Sequence, residues 1–258
     1  MAFRFSDQHI EDYARDGFTV FRQILPTSLI TDLRRACEVG VAHVRASGHT
    51  QAQRFGPAST PGVDPQPFAD YRDLPALVDA ITRLLSPNHR HGNPTVLIQP
   101  AESPWCTMWH RDWRDNIPGL DIPAWEQLQY DPDFFNQINC ALYEDGCTWV
   151  VPGSHARRDT QAEIDRFPTR PIAAPDFTGK TPAECERIGL DYCRSMPGAV
   201  RLNLDAGDFA IYRSIQWHIG NYVHYRPRAT LHDTAMTARF DAWWKSPDKM
   251  MRKETAAT

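Results

Sequence analysis

Apolar residues recur at helical spacing in the first third of the chain, and this pattern predicts three helices within residues of about 6–86. Ser6 can cap the first helix, and Gly17 is a residue type that commonly ends one. Pro26 opens the second helix, and the third is expected around 74–85. The apolar face of the second helix consists of Leu29, Ile30, Leu33, Cys37, Val41 and Val44.

Short β-prone runs follow Pro94 and are separated by glycine, proline and aspartate. Helices first and many short strands later predict an all-β core with helical cladding over residues of about 95–240. A single domain over 1–258 is expected, because β-barrel folds often reach this length, with a polar tail at about 246–258. The β-prone runs are 95–99, 105–113, 137–143, 148–151, 201–204, 209–212 and 230–240.

Three segments do not fit this alternation of short strands and turns. Residues 46–67 are polar and rich in glycine, proline, serine and glutamine, which predicts a mobile loop beside a site. The segments 114–135 and 156–197 are too long for hairpins. We expect lids or insertions in both.

Composition excludes several classes of protein. With 28 Lys and Arg against 32 Asp and Glu, the net charge is −4, which counts against a nucleic-acid-binding protein. The chain contains no run of about 18 apolar residues, so no membrane span is expected. The first residues lack the apolar core of a signal peptide, so a cytoplasmic location is expected. The six cysteines form no CxxC pair, which argues against a thiolate zinc site and favours buried free thiols.

The motif His110-Arg111-Asp112 is the first candidate for chemistry. On a strand, residues i and i+2 share a face, so an imidazole and a carboxylate would lie side by side and suit Fe(II), Mn(II) or Zn(II). His218 is expected where a strand meets a Gly-Asn turn, and as a third ligand it would complete a triad of two histidines and one carboxylate. Taken singly, each residue also fits a purely structural role. Trp113, directly after the motif, is expected to border the substrate pocket.

Arg228 is the second candidate. It lies ten residues after His218, and the strand that follows could bring it back beside that histidine. Its guanidinium would bind a carboxylate through two parallel hydrogen bonds, which lysine cannot match. The alternative is a solvated arginine on a basic hairpin, and this alternative is stronger for Arg226.

In order, spacing and context, these elements resemble the phytanoyl-CoA dioxygenase family of Fe(II)/2-oxoglutarate-dependent oxygenases. The likeness extends from about residue 5 to 240, and the Val-Pro-Gly-Ser-His run at 151–155 is among its most recognisable parts. The matching elements are Tyr13–Val20, His110-Arg-Asp112, Asp145–His155, Ala206-Gly-Asp208, His218 and Arg228.

The resemblance implies a fold and a site. The fold would be a double-stranded β-helix, the cupin-like jelly roll. His110, Asp112 and His218 would hold Fe(II), and Arg228 would bind the distal carboxylate of 2-oxoglutarate. Further co-substrate contacts would come from three polar residues, namely Gln99, Asn139 and Thr107.

Two features of the chain refine this resemblance. The turn after His218 is one residue shorter than is common in the family, which leaves the direction of Arg228 open. The presence of Asp112 disfavours the halogenase variant, in which a small residue replaces the carboxylate.

The predicted function is an Fe(II)- and 2-oxoglutarate-dependent dioxygenase. It would use O₂ to hydroxylate an unactivated carbon of a small molecule, with succinate and CO₂ as co-products. Two alternatives stay open: a metal-dependent jelly-roll enzyme that does not use 2-oxoglutarate, and a non-catalytic jelly-roll binding module. The sequence predicts neither the substrate nor the oligomeric state, and desaturation or cyclisation could replace hydroxylation.

Overall fold

The computed structural model describes residues 3–49, 52–115 and 117–247, and the predicted polar tail lies outside them from residue 248 onward. The helices are α1 Asp7–Asp16, α2 Thr27–Ala46, α3 Gln66–Arg72, α4 Pro75–Leu84, α5 Ile122–Gln129, α6 Gln161–Arg166, α7 Pro182–Arg194 and α8 Ala238–Lys245. The strands are β1 Phe18–Phe21, β2 Arg54–Phe55, β3 His89–His91, β4 Thr95–Ile98, β5 Trp105–Cys106, β6 Phe135–Ala141, β7 Thr148–Val150, β8 Val200–Arg201, β9 Phe209–Arg213, β10 His218–Tyr222 and β11 Ala229–Thr237.

The first helix has the limits that its end signals predict. Ser6 is the N-cap residue of α1, and its backbone N–H donates to Nδ1 of His9. At the other end Gly17 adopts φ +82°, a left-handed conformation that costs glycine little because it has no Cβ. The second and third predicted helices are also confirmed, as α2 and α4.

Two antiparallel sheets form the centre of the molecule. The larger sheet has the order β1-β9-β6-β11-β4-β2, with β3 also paired to β11, and the smaller has the order β5-β10-β7-β8. Between β4 and β11 the chain passes repeatedly from one sheet to the other. The predicted β-rich core with helical cladding is therefore confirmed.

Helices α2, α3 and α4 pack on one face of the larger sheet. Within β6, Ile138 and Cys140 belong to the same buried apolar cluster as residues of α2 and α4, such as Leu33 and Ile81. Each buried aliphatic side chain of this size contributes roughly 1.5–3 kcal/mol. Side chains alternate along a strand, so the residues between them point to the opposite face of the sheet. The site lies on that opposite face.

The three long segments contain more regular structure than the sequence predicts. Residues 46–67 include β2, a short 3₁₀ turn and the start of α3, so an uninterrupted loop is wrong. The ring of Phe55 fills the space that a side chain at Gly40 of α2 would need, and this contact holds β2 in place. The segment 114–135 contains α5, and 156–197 contains α6 and α7.

The strands around the predicted ligands also differ from expectation. The run at 105–113 is a strand only at Trp105–Cys106, and Asp112 lies in a turn. His110 forms an isolated β-bridge with His218. His218 begins β10, so Gly-Asn at 220–221 lies inside a strand and is not a turn. The last strand ends at Thr237, where α8 follows.

All six cysteines have free thiols, and five of them are buried, as predicted. Among the helices of the described residues, none has both the length and the apolar character needed to cross a membrane.

Candidate active site

Three side chains converge at one end of the space between the sheets. Nε2 of His110 lies 3.6 Å from Oδ1 of Asp112, and Nε2 of His218 lies 3.8 Å from the same oxygen. One ligand atom from each of the three residues lies within 4.8 Å of the others. Two imidazoles and one carboxylate at this spacing can bind one metal ion on a single face and leave its other face open.

Both histidines are held in the tautomer that metal binding requires. Nδ1 of His110 donates to the carbonyl oxygen of Met108 at 2.8 Å, and Nδ1 of His218 donates to that of Gln216 at 2.8 Å. A carbonyl oxygen can only accept, so Nδ1 carries the proton and the lone pair of Nε2 faces the cluster.

Backbone contacts place the ligands despite the absence of a strand at 107–113. His110 and His218 exchange two backbone hydrogen bonds of 3.1 and 3.2 Å. Arg111 points away from the cluster, and its Nη1 donates to the carbonyl oxygens of Ser154 and Ile215 at 2.6 and 2.7 Å. The hydroxyl of Ser154 accepts from the N–H of Trp217 at 3.0 Å. The Pro-Gly-Ser-His turn therefore positions the segment that carries His218.

Burial shapes the charges of the cluster. It lowers the pKa of His218 well below the ordinary value, as does the nearby His110, so His218 is neutral and able to ligate. It raises the pKa of Asp112 to about 6, against the lowering effect of His110. A divalent cation would supply the positive charge that favours the ionised carboxylate.

A second layer orients Asp112. Nε2 of Gln137 on β6 donates to Oδ2 of Asp112, and the hydroxyl of Tyr212 on β9 donates to Oε1 of Gln137. Partners of this kind commonly fix the orientation of a metal ligand. Neither Gln137 nor Tyr212 was predicted from the sequence.

The cluster opens into a cavity of about 290 Å³. The predicted residues Thr107 and Asn139 lie in its wall. Asn139 donates to the Thr148 hydroxyl at 2.9 Å and accepts from Nδ1 of His232 at 2.8 Å, and Thr107 Oγ1 accepts from the N–H of Gly220 at 3.0 Å. Besides these two residues and the metal cluster, the wall is lined by Arg54, Leu97, Gln137, Thr148, Tyr212, Ile219, Gly220, Tyr222 and His232.

Arg228 and Gln99 are absent from this wall. Nε of Arg228 donates to Oδ2 of Asp145 at 3.0 Å, and both side chains are 4% exposed. The Arg228 guanidinium carbon lies 4.6 Å from the ring centre of Tyr222, a residue that does line the cavity. Oε1 of Gln99 accepts from the backbone N–H of Arg228 at 3.0 Å. The structure thus places Arg228 beside Tyr222 and Asp145, and Gln99 beside the backbone of Arg228. Neither residue lines the cavity at the metal cluster.

Arg54 is a wall residue that the sequence did not reveal. It lies on the two-residue strand β2, inside the segment predicted as a loop, where no periodic pattern marks it. His232 and Gln137 had a usable signal, because each lies on the same strand face as a neighbouring polar residue.

A model of the family described as phytanoyl-CoA dioxygenase (PhyH) matches residues 13–221. The chain belongs to the phytanoyl-CoA dioxygenase family. The match includes all three residues of the metal cluster and the Pro-Gly-Ser-His turn, and it ends before Arg228. A comparison with curated protein sequences gave no significant match.

Solved structures share the fold of this family member at low sequence identity. AviO1 from Streptomyces viridochromogenes Tue57 has a TM-score of 0.59 and 15% identity, over 92% of this chain and 97% of that one. The epimerase SnoN of nogalamycin biosynthesis, in complex with Fe³⁺, alpha-ketoglutarate and nogalamycin RO, has values of 0.56 and 16%, over 90% and 83%. EctD from S. alaskensis with 2-oxoglutarate and 5-hydroxyectoine has values of 0.57 and 17%, over 90% and 76%.

In this member of the phytanoyl-CoA dioxygenase family, Trp113 does not line the metal cavity. It adopts φ +67° and packs against aromatic residues, among them Phe135 and Phe240. Residues of α8 provide the apolar surface against which the indole packs. A position at the border of the substrate pocket stays a prediction.

Proposed function

We propose that the chain is an Fe(II)- and 2-oxoglutarate-dependent dioxygenase that hydroxylates a small molecule with O₂. The observation that carries this proposal is the convergence of two imidazole Nε2 atoms and one carboxylate on an open cavity. Such a donor set is typical of non-haem iron oxygenases. Membership of the phytanoyl-CoA dioxygenase family supports the same chemistry.

We further propose that the core is a double-stranded β-helix and that residues 1–258 form one domain. The strand order supports the first point, since β4, β6, β9 and β11 lie in one sheet and β5, β7, β8 and β10 in the other. The second point is supported by the single apolar cluster that joins α2 and α4 to the larger sheet.

In this proposal each group of residues has a separate task. His110, Asp112 and His218 hold the iron, and a bound Fe(II) supplies the oxidising chemistry. Gln137 and Tyr212 keep Asp112 in its orientation. Thr107 and Asn139 offer polar contacts to 2-oxoglutarate in the cavity wall.

The distal carboxylate of 2-oxoglutarate needs a cationic partner beyond this polar wall. The sequence assigns that role to Arg228, with Gln99 beside it, and both assignments stay proposals. Nη1 of Arg228 is buried and has no hydrogen-bond partner among the described residues, which supports the assignment. The Tyr222 ring and the Asp145 carboxylate beside the guanidinium oppose it.

Hydroxylation is the reaction we propose for the small cavity. Proteins with the same fold are described as an epimerase, a carbocyclase and EctD with bound 5-hydroxyectoine, so the fold itself does not select the outcome. A volume of about 290 Å³ favours a small substrate that binds beside the metal. The cytoplasmic location stays a prediction.

One observation favours a second candidate, a metal-dependent oxygenase that does not use 2-oxoglutarate. The Arg228–Asp145 ion pair neutralises the guanidinium that the co-substrate would need. A non-catalytic binding module has no comparable support, because it would not need both histidines held with Nε2 facing one carboxylate.

Release of succinate tests the main proposal. Purified protein would be incubated with Fe(II), ascorbate, O₂ and 2-oxoglutarate, and both 2-oxoglutarate and succinate would be measured by mass spectrometry. We expect slow formation of succinate even without the natural substrate, and none with the His110→Ala variant. Iron binding without any 2-oxoglutarate binding or turnover would favour the second candidate.

A further inference from the structure

We infer that Arg54 is the residue that binds the distal carboxylate of 2-oxoglutarate in the metal cavity. The inference rests on the proposed function and assigns to Arg54 the role that the family resemblance implies for Arg228. Three features of the described residues support it: the direction of Arg54, the charge balance of the wall, and the state of Arg228.

The pairing of β2 with β4 directs Arg54 to the cavity. Arg54 is opposite Leu97, and Leu97 is opposite Thr230 of β11. Paired residues on neighbouring strands share a face of the sheet, so Arg54 points to the face that carries the site. Phe55, the next residue, points to the other face and packs on α2. Arg54 and Phe55 therefore point to opposite faces of the sheet, and the packing of Phe55 on α2 fixes the orientation of Arg54.

The charges of the wall leave Arg54 without a counter-ion. Within the part of the chain that the structure describes, the wall contains one arginine and one carboxylate, Arg54 and Asp112, and no ion pair links Arg54 to any described residue. Asp112 belongs to the metal cluster. Burial, together with the positive charges of Arg54 and Arg228, lowers the pKa of His232 to about 4. The charge of Arg54 therefore reaches the interior of the cavity.

Arg228 already has a carboxylate partner. Asp145 accepts from Nε of Arg228 and from the hydroxyl of Thr230. Burial raises the pKa of Asp145, but Arg228 and Thr230 outweigh this effect, and the pKa lies below its ordinary value, so the carboxylate is ionised. A second carboxylate arriving there would meet this negative charge and the ring of Tyr222. At Arg54 it would meet a free planar guanidinium, which suits two parallel hydrogen bonds.

Two ligands that differ only at the distal end isolate this contact. Binding of 2-oxoglutarate and of 2-oxopentanoate, which has a methyl group in place of the distal carboxylate, would be measured by calorimetry on Mn(II)-loaded protein without O₂. The variants would be Arg54→Ala, Arg54→Lys and Arg228→Lys. Arg90→Ala is the matched control, because Arg90 is an exposed arginine on another short strand of the same sheet.

We expect Arg54→Ala to weaken 2-oxoglutarate binding by roughly ten- to a hundredfold, the loss typical of hydrogen bonds to a charged group. Binding of 2-oxopentanoate and of Mn(II) should stay as in the unmodified protein, and Arg54→Lys should lie between. Unchanged 2-oxoglutarate binding in Arg54→Ala, or a selective loss confined to Arg228→Lys, would overturn the inference while leaving the proposed function intact. Absence of 2-oxoglutarate binding in the unmodified protein would overturn both.

Discussion

The two ends of the cavity are built differently. At the metal end, three ligands from distant parts of the chain are already in place, each held by a backbone or second-layer hydrogen bond. At the end that we propose for the distal carboxylate, Arg54 has no ion pair among the described residues, while Arg228, which does not line the cavity, is paired with Asp145. The positions of short ligand side chains, which hydrogen bonds hold in place, can be inferred from a sequence motif. The direction of a long arginine depends on which anion lies nearest.

Removal of a metal ligand should have the largest effect. We expect His110→Ala, Asp112→Ala and His218→Ala each to abolish iron binding and turnover while the protein stays folded. The reason is that a metal ion held by three protein groups loses a third of its ligand set. Iron content after anaerobic loading and circular dichroism check both points. His43→Ala, in an exposed part of α2, is the control, and full iron binding in any ligand variant would remove that residue from the triad.

Arg228 and Arg54 should differ strongly in their contribution to stability. Breaking a buried ion pair by removing one partner costs about 3–5 kcal/mol, because the other charge stays buried. Arg228→Ala should therefore lower the free energy of unfolding by about that amount, whereas Arg54→Ala, at an exposed position, should change it by less than about 0.5 kcal/mol. Urea denaturation measures both. Equal stabilities would show that the Arg228–Asp145 pair is absent in solution.

Substitution of Gln137 or Tyr212, the residues that orient Asp112, should have a smaller effect. Gln137→Ala removes the amide that donates to Asp112, and changes of this kind lower metal affinity by roughly 10–100-fold. Tyr212→Phe removes a group one bond further out and should cost less. Titration with Mn(II) provides the measurement. If Tyr212→Phe weakened binding more than Gln137→Ala, the order of these contacts would be wrong.

Removal of the Tyr222 ring should have the smallest effect. It should make Arg228 and Arg54 more alike as possible partners of the co-substrate. The Tyr222 ring lines the cavity and packs against the guanidinium of Arg228, so we expect Tyr222→Ala to let Nη1 of Arg228 reach a bound carboxylate. In that background Arg54→Ala should weaken 2-oxoglutarate binding less than it does alone. Residues that share a ligand commonly show coupling of about 0.5–3 kcal/mol. Strict additivity in the double variant would show that Arg228 stays out of reach.

The sequence contained enough to predict the β-rich core and the ligands, because both depend on short-range patterns. Apolar periodicity marked α2 and α4, and His110, Asp112 and His218 lay in an order that resembled a known family. The strand expected at 105–113 was wrong, although the ligands still met, since a β-bridge between His110 and His218 replaces the strand.

Other features depend on long-range contacts that no local pattern contains. Arg54 lies on a two-residue strand that exists because Phe55 packs against Gly40. The partner of Arg228 lies 83 residues away in the sequence. The sequence shows that both residues are arginines, but it does not show which carboxylate lies near each guanidinium.

The most direct test of the account is the absorption spectrum of the Fe(II)-loaded protein during anaerobic titration with 2-oxoglutarate. A 2-oxo acid that chelates Fe(II) produces a visible charge-transfer band, so the band reports the metal end while the concentration needed to saturate it reports the distal end. We predict a band for the unmodified protein, none for His218→Ala, and the same band at higher 2-oxoglutarate concentration for Arg54→Ala. Iron that binds to the unmodified protein without producing this band would contradict the account.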